Sequence, residues 1–382
     1  MKSNDKYGVK NRVGFHLASV LLIPLVLIQL LTGCERRDLW VLAEEYRQVE
    51  LVTDWSEAEA RPNGMTAWFI KNDYSGYNRN YKTAEVTHTW LSLPRGSYTG
   101  LVFDYSPEEY GHIQFVNMDD PDLAEVCLKP AADQPKADET ELFGDVAVPA
   151  GMQGIERNEE NGLYIVKAEP DAINLDALHD VDIVTGSDGD YILWKEREQY
   201  ESSLVTQTLN AWPKPIVWKL HVLVYVKGIY YMNSVRASIA GLADGYMMSQ
   251  GMHSEDVCLQ ALDEWNSKTI GENIGTISTT AMTFGLPEYG VSTRADDDGV
   301  VHEYLSNLRL NLQFLLRDQE TVLNYHYDCQ PYVNIFEDQL VVRIDIPIEL
   351  APVLPYVEAK GSAGFDATVS PWEDGGTVET TM

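Results

Sequence analysis

Leu308-Arg309-Leu310-Asn311-Leu312-Gln313-Phe314-Leu315-Leu316 decides the fold class. Apolar and polar residues alternate almost without a break, the pattern of a strand with one buried face. Arg317-Asp318-Gln319-Glu320 reads as a turn and Thr321 to Tyr327 as a returning strand, so the stretch predicts a hairpin. Outward from it, Gln339 to Leu350 alternates again. Upstream, Ile216 to Lys227 alternates, and a second run, Ile229 to Ile239, follows the break at Gly228. Ser254 to Trp265 is expected to form one short helix, and the tail from Gly361 to Met382 a final strand pair broken by Pro371 to Gly376.

The first half reads the same way. Val49-Glu50-Leu51-Val52-Thr53-Asp54-Trp55 places Val49, Leu51 and Trp55 on one face. A turn through Pro62-Asn63-Gly64 precedes a strand at Thr66 to Ile70, and the Tyr-, Asn- and Gly-rich stretch from Asn72 to Asn80 has loop chemistry. Thr87 to Leu93 and Ser97 to Tyr105 flank Pro94-Arg95-Gly96, in which Pro94 presets a turn dihedral and Gly96 accepts a positive one, so the two runs are expected to pair. Residues 128 to 145 and Glu156 to Gly162 look like exposed excursions, Leu163 to Lys167 like a strand, and Asp171 to His179 like a short helix or irregular crossover. No long helical periodicity follows the first 33 residues. Many short strands with turn signals in each half predict an all-β chain of two sandwiches. The prolines of Ala211-Trp212-Pro213-Lys214-Pro215 place the boundary near 212, dividing the chain into 34–212 and 213–382.

Residues 1–33 are different. Lys2, Lys6, Lys10 and Arg12 precede an apolar run from Leu17 to Leu31, the n-region and h-region of a secretory signal. The run is shorter than a spanning helix requires. It ends in Leu31-Thr32-Gly33-Cys34, which resembles the lipobox of bacterial lipoproteins, and that resemblance implies cleavage before Cys34 and a lipid on its thiol. Losing residues 1–33 removes four basic and one acidic residue and takes the formal charge from −31 to −34. Such a chain is unsuited to nucleic acid, which needs clustered Lys and Arg, and is repelled by anionic lipid. Acyl chains, contributing about 0.8 kcal/mol per buried methylene, are then the expected membrane attachment. Cys127, Cys258 and Cys329 remain, an odd number with no CxxC spacing. Buried free thiols are the expectation, with a Cys258–Cys329 bridge as the alternative.

Cys34 to Trp40, Val49 to Trp55, Leu93-Pro94-Arg95-Gly96-Ser97-Tyr98, Ser234 to Gly245 and Thr283-Phe284-Gly285-Leu286-Pro287 together resemble the fimbrillin-like lipoproteins of Bacteroidales, the superfamily of type V pilus subunits and anchors. The resemblance implies two tandem transthyretin-like β-sandwich domains, an outer-membrane, surface-exposed location, and pilus subunits as partners, joined by strand exchange. In stalk subunits of that family an Arg-directed protease removes the first strand; anchors keep it. Here Arg61 precedes Pro62, a poor bond to cut, and Arg47 precedes the first clear strand. Neither makes a convincing junction, which favours an uncut anchor or accessory subunit.

No enzyme is expected. There is no Gly-x-Ser-x-Gly elbow, HExxH or P-loop. Asp296-Asp297-Asp298-Gly299 and Ser187-Asp188-Gly189-Asp190 lack EF-hand spacing and read as solvated turns, so neither a metal nor a cofactor is expected. His221 and His326 sit in alternating strands, and His326 lies three residues from Cys329, on the opposite face. With nine tryptophans and twenty-one tyrosines in the chain, the loop aromatics Tyr74, Tyr77 and Tyr81 are the candidate platform for a second reading, a glycan- or host-ligand-binding lipoprotein. Cys34→Ser is expected to abolish incorporation of labelled fatty acid and move the protein from the membrane to the soluble fraction, checked by metabolic labelling and fractionation.

Overall fold

The computed structural model describes residues 40–42, 46–76, 78–132, 154–183, 191–193, 207–293, 300–304, 307–360 and 377–379. The alternation at Leu308–Leu316 becomes the strand Arg309–Leu316. Val322–Asp328 returns beside it, setting Leu310 opposite Tyr327 and Leu312 opposite Tyr325, so the expected hairpin is present. This pair belongs to a six-stranded sheet in the order Thr377–Glu379, Val322–Asp328, Arg309–Leu316, Met232–Ala243, Val257–Leu262 and Val166–Lys167. A five-stranded sheet faces it, in the order Asn266–Gly271, Ile274–Thr283, Trp218–Lys227, Val341–Ile346 and Val333–Phe336. Within Trp218–Lys227, Leu220, Val222, Val224 and Val226 are buried and the residues between them face outward. They share one core with Leu312 and Phe314 of the facing sheet and with Val342 and Ile344. This is a β-sandwich, as the period-two pattern requires.

The first sandwich joins a three-stranded sheet, Gln207–Ala211, Tyr46–Thr53, His88–Pro94, to a five-stranded one, Lys214–Pro215, Asn174–Ile183, Gly96–Asp104, Met65–Lys71, Arg79–Thr83. Val49, Leu51, Leu91 and Leu93 from one sheet meet Phe69, Tyr98, Val102 and Val181 from the other. Trp55 joins this core too, its indole N–H donating to Val86 O at 2.5 Å. The central strands of the five-stranded sheet, Met65–Lys71 and Gly96–Asp104, are buried on both faces. Ile70, Leu101, Phe103 and Leu175, on its other side, belong to the core of the second sandwich.

A four-stranded sheet, Met252–His253, Gly245–Met247, Glu125–Leu128, Ile113–Val116, joins the two halves of the sequence. Glu125–Leu128 pairs with Gly245–Met247, Val166–Lys167 pairs in parallel with Leu259 and Gln260, and Phe115 stacks on Phe103 at 4.9 Å. Strand pairing therefore crosses residue 212 in both directions. Tyr46–Val184 and Thr206–Met382 make up one compact unit. The other unit, Met1–Glu45 with Thr185–Val205, contains the antiparallel pair Trp40–Leu42 and Tyr191–Leu193. A separate antiparallel pair, Glu288–Thr293 with Val300–Tyr304, lies in the larger unit.

Several local expectations change. His88–Pro94 and Gly96–Asp104 do not form a hairpin: the first pairs with Tyr46–Thr53, the second with Met65–Lys71 and Asn174–Ile183. Between them the chain passes from one sheet to the other, with Gly96 at φ 151° and the Tyr98 hydroxyl donating to Pro94 O at 3.0 Å. A sequence-local turn fits a sheet change as well as a hairpin, and the burial of both runs in one core selects the change. Ser254–Trp265 holds the strand Val257–Leu262 rather than a helix, because it has a sheet neighbour on each side. Asp171–His179 enters the strand Asn174–Ile183. Among the described residues the only helical segments are three-residue 3₁₀ turns. The first strand of the larger unit begins at Tyr46, so Arg47 lies inside it instead of ahead of it. Of the C-terminal tail, Thr377–Glu379 is a strand parallel to Val322–Asp328.

One buried carboxylate ties the shared sheet together at its end. Asp104 Oδ1 accepts from the Asn174 backbone N–H at 2.9 Å and from the Tyr110 hydroxyl at 2.9 Å, while Oδ2 accepts from Asn174 Nδ2 at 2.8 Å. Burial pushes the Asp104 carboxyl above its ordinary pKa, with the Asn174 and Tyr110 hydrogen bonds acting against it. Asp104→Ala is expected to lower stability by about 1–3 kcal/mol, the cost of leaving a buried donor unsatisfied, read as a fall in the urea midpoint at unchanged slope.

Candidate interaction surface

The ends of a sheet are where a β-sandwich meets other chains, because an outer strand leaves main-chain donors and acceptors unpaired. In the first sandwich both edges are bridged from within. The Tyr81 hydroxyl, from one sheet, donates to Ser92 O of the other. On the opposite edge Gln207 Nε2 donates to Asp182 O at 2.9 Å. The strand Tyr46–Thr53 is central, paired with His88–Pro94 on one side and Gln207–Ala211 on the other, with Val49 and Leu51 fully buried.

The second sandwich has outer strands with one sheet neighbour among the described residues, Val333–Phe336 and the more exposed Asn266–Gly271. Asn266–Gly271 pairs with Ile274–Thr283 alone among the described residues, and all six of its residues are exposed, Ile270 at 51 %. Its start is pinned by the Thr279 hydroxyl on Asp263 O at 2.6 Å and by Trp265 Nε1 on Leu262 O at 2.9 Å. Lys268 is the kind of edge charge that discourages indiscriminate pairing. This strand offers the main-chain geometry that β-augmentation uses.

The residues singled out by sequence are described in part. Cys34 and Tyr77 lie outside the described residues, as do Asp296–Gly299 and Ser187–Asp190. Tyr74 is 60 % exposed and its hydroxyl donates to the Asp122 carboxylate. Tyr81 is half-buried, its ring edge-on to Phe69 at 6.4 Å. The structure therefore does not bring Tyr74 and Tyr81 together as one exposed stacking face.

Another exposed aromatic stands on a strand rather than in a loop. Trp90 is 54 % exposed on the outer face of the three-stranded sheet, edge-on to His88 at 5.9 Å, and Glu50 bonds both His88 and, at 2.9 Å, the Thr208 hydroxyl. The signal was in the period: with Leu91 and Leu93 inward, Trp90 must face out.

His221 Nδ1 contacts Thr280 Oγ1 at 2.8 Å, and His326 Nδ1 contacts Asn311 Oδ1 at 3.0 Å. Cys329 lies in the core, and burial pushes its thiol up to about 12. Cys258 is buried and Cys127 half-buried; all three are free, which is the expected state rather than the alternative bridge. Among the described residues no three His, Cys, Asp or Glu side chains are grouped to hold a metal ion. A shallow cleft of about 300 Å³ lies where the two sandwiches meet, lined in part by Glu57, Glu59, Asn174, Val217 and Leu340. The Lys219–Glu59 ion pair, 2.9 Å, lies at its side. No helix of the described residues is long and apolar enough to cross a membrane.

Among solved structures, a candidate adhesin from Bacteroides ovatus aligns with 86 % of this chain and 98 % of its own length at 18 % identity and a TM-score of 0.51. The fimbrial anchor protein Mfa2 from Porphyromonas gingivalis aligns over 78 % of this chain and 90 % of its own at 10 % identity and a TM-score of 0.41. A candidate polysaccharide-binding protein from Bacteroides thetaiotaomicron covers 78 % and 89 % at 8 % identity and a TM-score of 0.39. At these identities the first of them shows a common fold. No curated protein matches the sequence. A family model described as a domain of unknown function, DUF5119, matches residues 33–263. That match takes in more than half of the sequence, and the chain belongs to the DUF5119 family.

Proposed function

We propose that this chain is an exported lipoprotein, held at the outer membrane through a lipid on Cys34, that serves at the cell surface as a fimbrillin-like anchor or accessory subunit. The observation that carries this reading is the central place of Tyr46–Thr53 in its sheet. A chain beginning at Cys34 retains that strand and with it a closed first sandwich. Cleavage after Arg47 would take only Tyr46 and Arg47 from the strand, leaving Val49 and Leu51 in the core, so it would open no groove. Contact with neighbouring subunits then falls to the second sandwich, where Asn266–Gly271 offers an unpaired edge. The fold held in common with the Bacteroides ovatus adhesin supports a surface role. The formal charge of −34 on the chain from Cys34 onward, −31 less the net +3 of residues 1–33, keeps the folded part away from anionic lipid and leaves attachment to the acyl chains.

Mass spectrometry of the N-terminal peptide, taken from the protein in native membranes and in assembled surface fibres, tests the reading. An acylated peptide beginning at Cys34 in both fractions is the expected result. A mature start after Arg47 or Arg61 in the fibres overturns the anchor reading and favours a polymerising stalk subunit.

A further inference from the structure

Lys167 is a lysine with almost no access to water, 4 % exposed, in the short strand that pairs with Leu259 and Gln260. Its Nζ lies 2.8 Å from Glu156 Oε2, 3.5 Å from Asp244 Oδ2 and 3.4 Å from Leu128 O. Asp244 follows the strand Met232–Ala243 and is itself largely covered. Its second oxygen, Oδ1, is buried, and among the described residues no donor reaches it.

As an ion pair this arrangement is poor. Charge-assisted N–H···O contacts settle at about 2.7–2.9 Å, whereas Lys167 and Asp244 stand at 3.5 Å. A buried carboxylate with one oxygen unpaired bears a desolvation cost that its partner does not offset. An amine, a carboxyl carbon within reach of it, and a second carboxylate bonded to the amine are, however, the components of an amide condensation.

We propose that Lys167 and Asp244 join in an intramolecular amide bond, with Glu156 as the group that moves the proton. The Lys167 ammonium gives one proton to the Glu156 carboxylate, and the free amine attacks Cγ of Asp244 in its acid form. The N–C bond forms, Glu156 returns its proton to the departing hydroxyl, which leaves as water, and then takes up the remaining proton from the nitrogen, so that ammonium plus carboxylic acid have become amide, water and one proton left on Glu156. No oxidant or co-reactant is consumed. Burial pushes the Asp244 carboxyl up to about 6, so its acid form is populated close to neutral pH. Burial lowers the Lys167 pKa, but Glu156 and Asp244 more than reverse that, which is why the proton must pass to Glu156 before attack. The product replaces two buried charges by one neutral group. It closes a covalent loop that contains Asn174–Ile183 of the first sandwich and Met232–Ala243 of the second, so a pull on the two ends of the chain would pass through the amide and bypass both strands.

Intact mass and a protease digest of the denatured full-length protein decide the matter. The expected mass is one water below that calculated for the chain with the N-terminus and acylation it carries, with a branched peptide joining the segment that holds Lys167 to the one that holds Asp244. A succinimide at any of the four Asp-Gly pairs, Asp188-Gly189, Asp244-Gly245, Asp298-Gly299 or Asp374-Gly375, shifts the mass equally, so the branched peptide is the deciding readout. Lys167 and Asp244 recovered in separate linear peptides overturn the proposal. Glu156→Gln is expected to return the full mass in a protein with unchanged circular dichroism, and a branched peptide persisting at wild-type yield removes Glu156 from the step.

Discussion

The strand Gly96–Asp104 is buried from Tyr98 onward on both of its faces. Tyr98 and Val102 point into the core of the first sandwich, Leu101 and Phe103 into the core of the second. Three consecutive large apolar residues, Leu101-Val102-Phe103, are the signature of a strand covered on both sides, in contrast to the alternation of one with a wet face. Its sheet is therefore a wall common to two cores. Parting the sandwiches would expose Ile70, Leu101, Phe103 and Leu175, each contributing about 1.5–3 kcal/mol through burial. That cost is why one compact unit spans both sandwiches.

The wall needs the second half of the chain to come close, and the tightest approach is at Gly245. This residue stands opposite Cys127, and a Cβ built on it would lie 2.5 Å from Val126 O. A side chain there would push Glu125–Leu128 away from Gly245–Met247 and pull Ile113–Val116 with it. Phe115 would then leave Phe103, so a glycine far along the sequence protects a stacking contact on the shared sheet.

Strands with one wet face were legible because side-chain period reports burial directly. Arg309–Leu316, Trp218–Lys227 and the inward set Val49, Leu51 and Trp55 stand where alternation puts them. Pairing was less legible. Pro94-Arg95-Gly96 records a reversal, and nothing local says whether the strand after it stays in its sheet or crosses to the facing one; Leu91 and Val102 meeting in one core settles that, and it is a long-range fact. Val257–Leu262 was lost to a helical expectation for the same reason: its neighbours are Ala237–Ala243 and Val166–Lys167, distant in sequence. The candidate platform was read from aromatic composition in a loop-like stretch. Composition cannot distinguish Tyr81, turned against Phe69, from Trp90, turned to water, whereas parity along the strand can.

Closure of the first sandwich follows from the same wall. With one sheet committed to two cores, its partner sheet of three strands must cover Phe69, Tyr98 and Val102 by itself, and Tyr46–Thr53 is the middle of those three. Removing it would uncover a core whose other face is already committed. The second sandwich has no such restriction at Asn266–Gly271, where each residue is exposed and the strand behind it, Ile274–Thr283, is held by Trp218–Lys227 independently of the edge. An added chain can pair there without disturbing either core. The sheet that fuses the two sandwiches thus commits the central strand of the first to a core and leaves the second with an exposed outer strand.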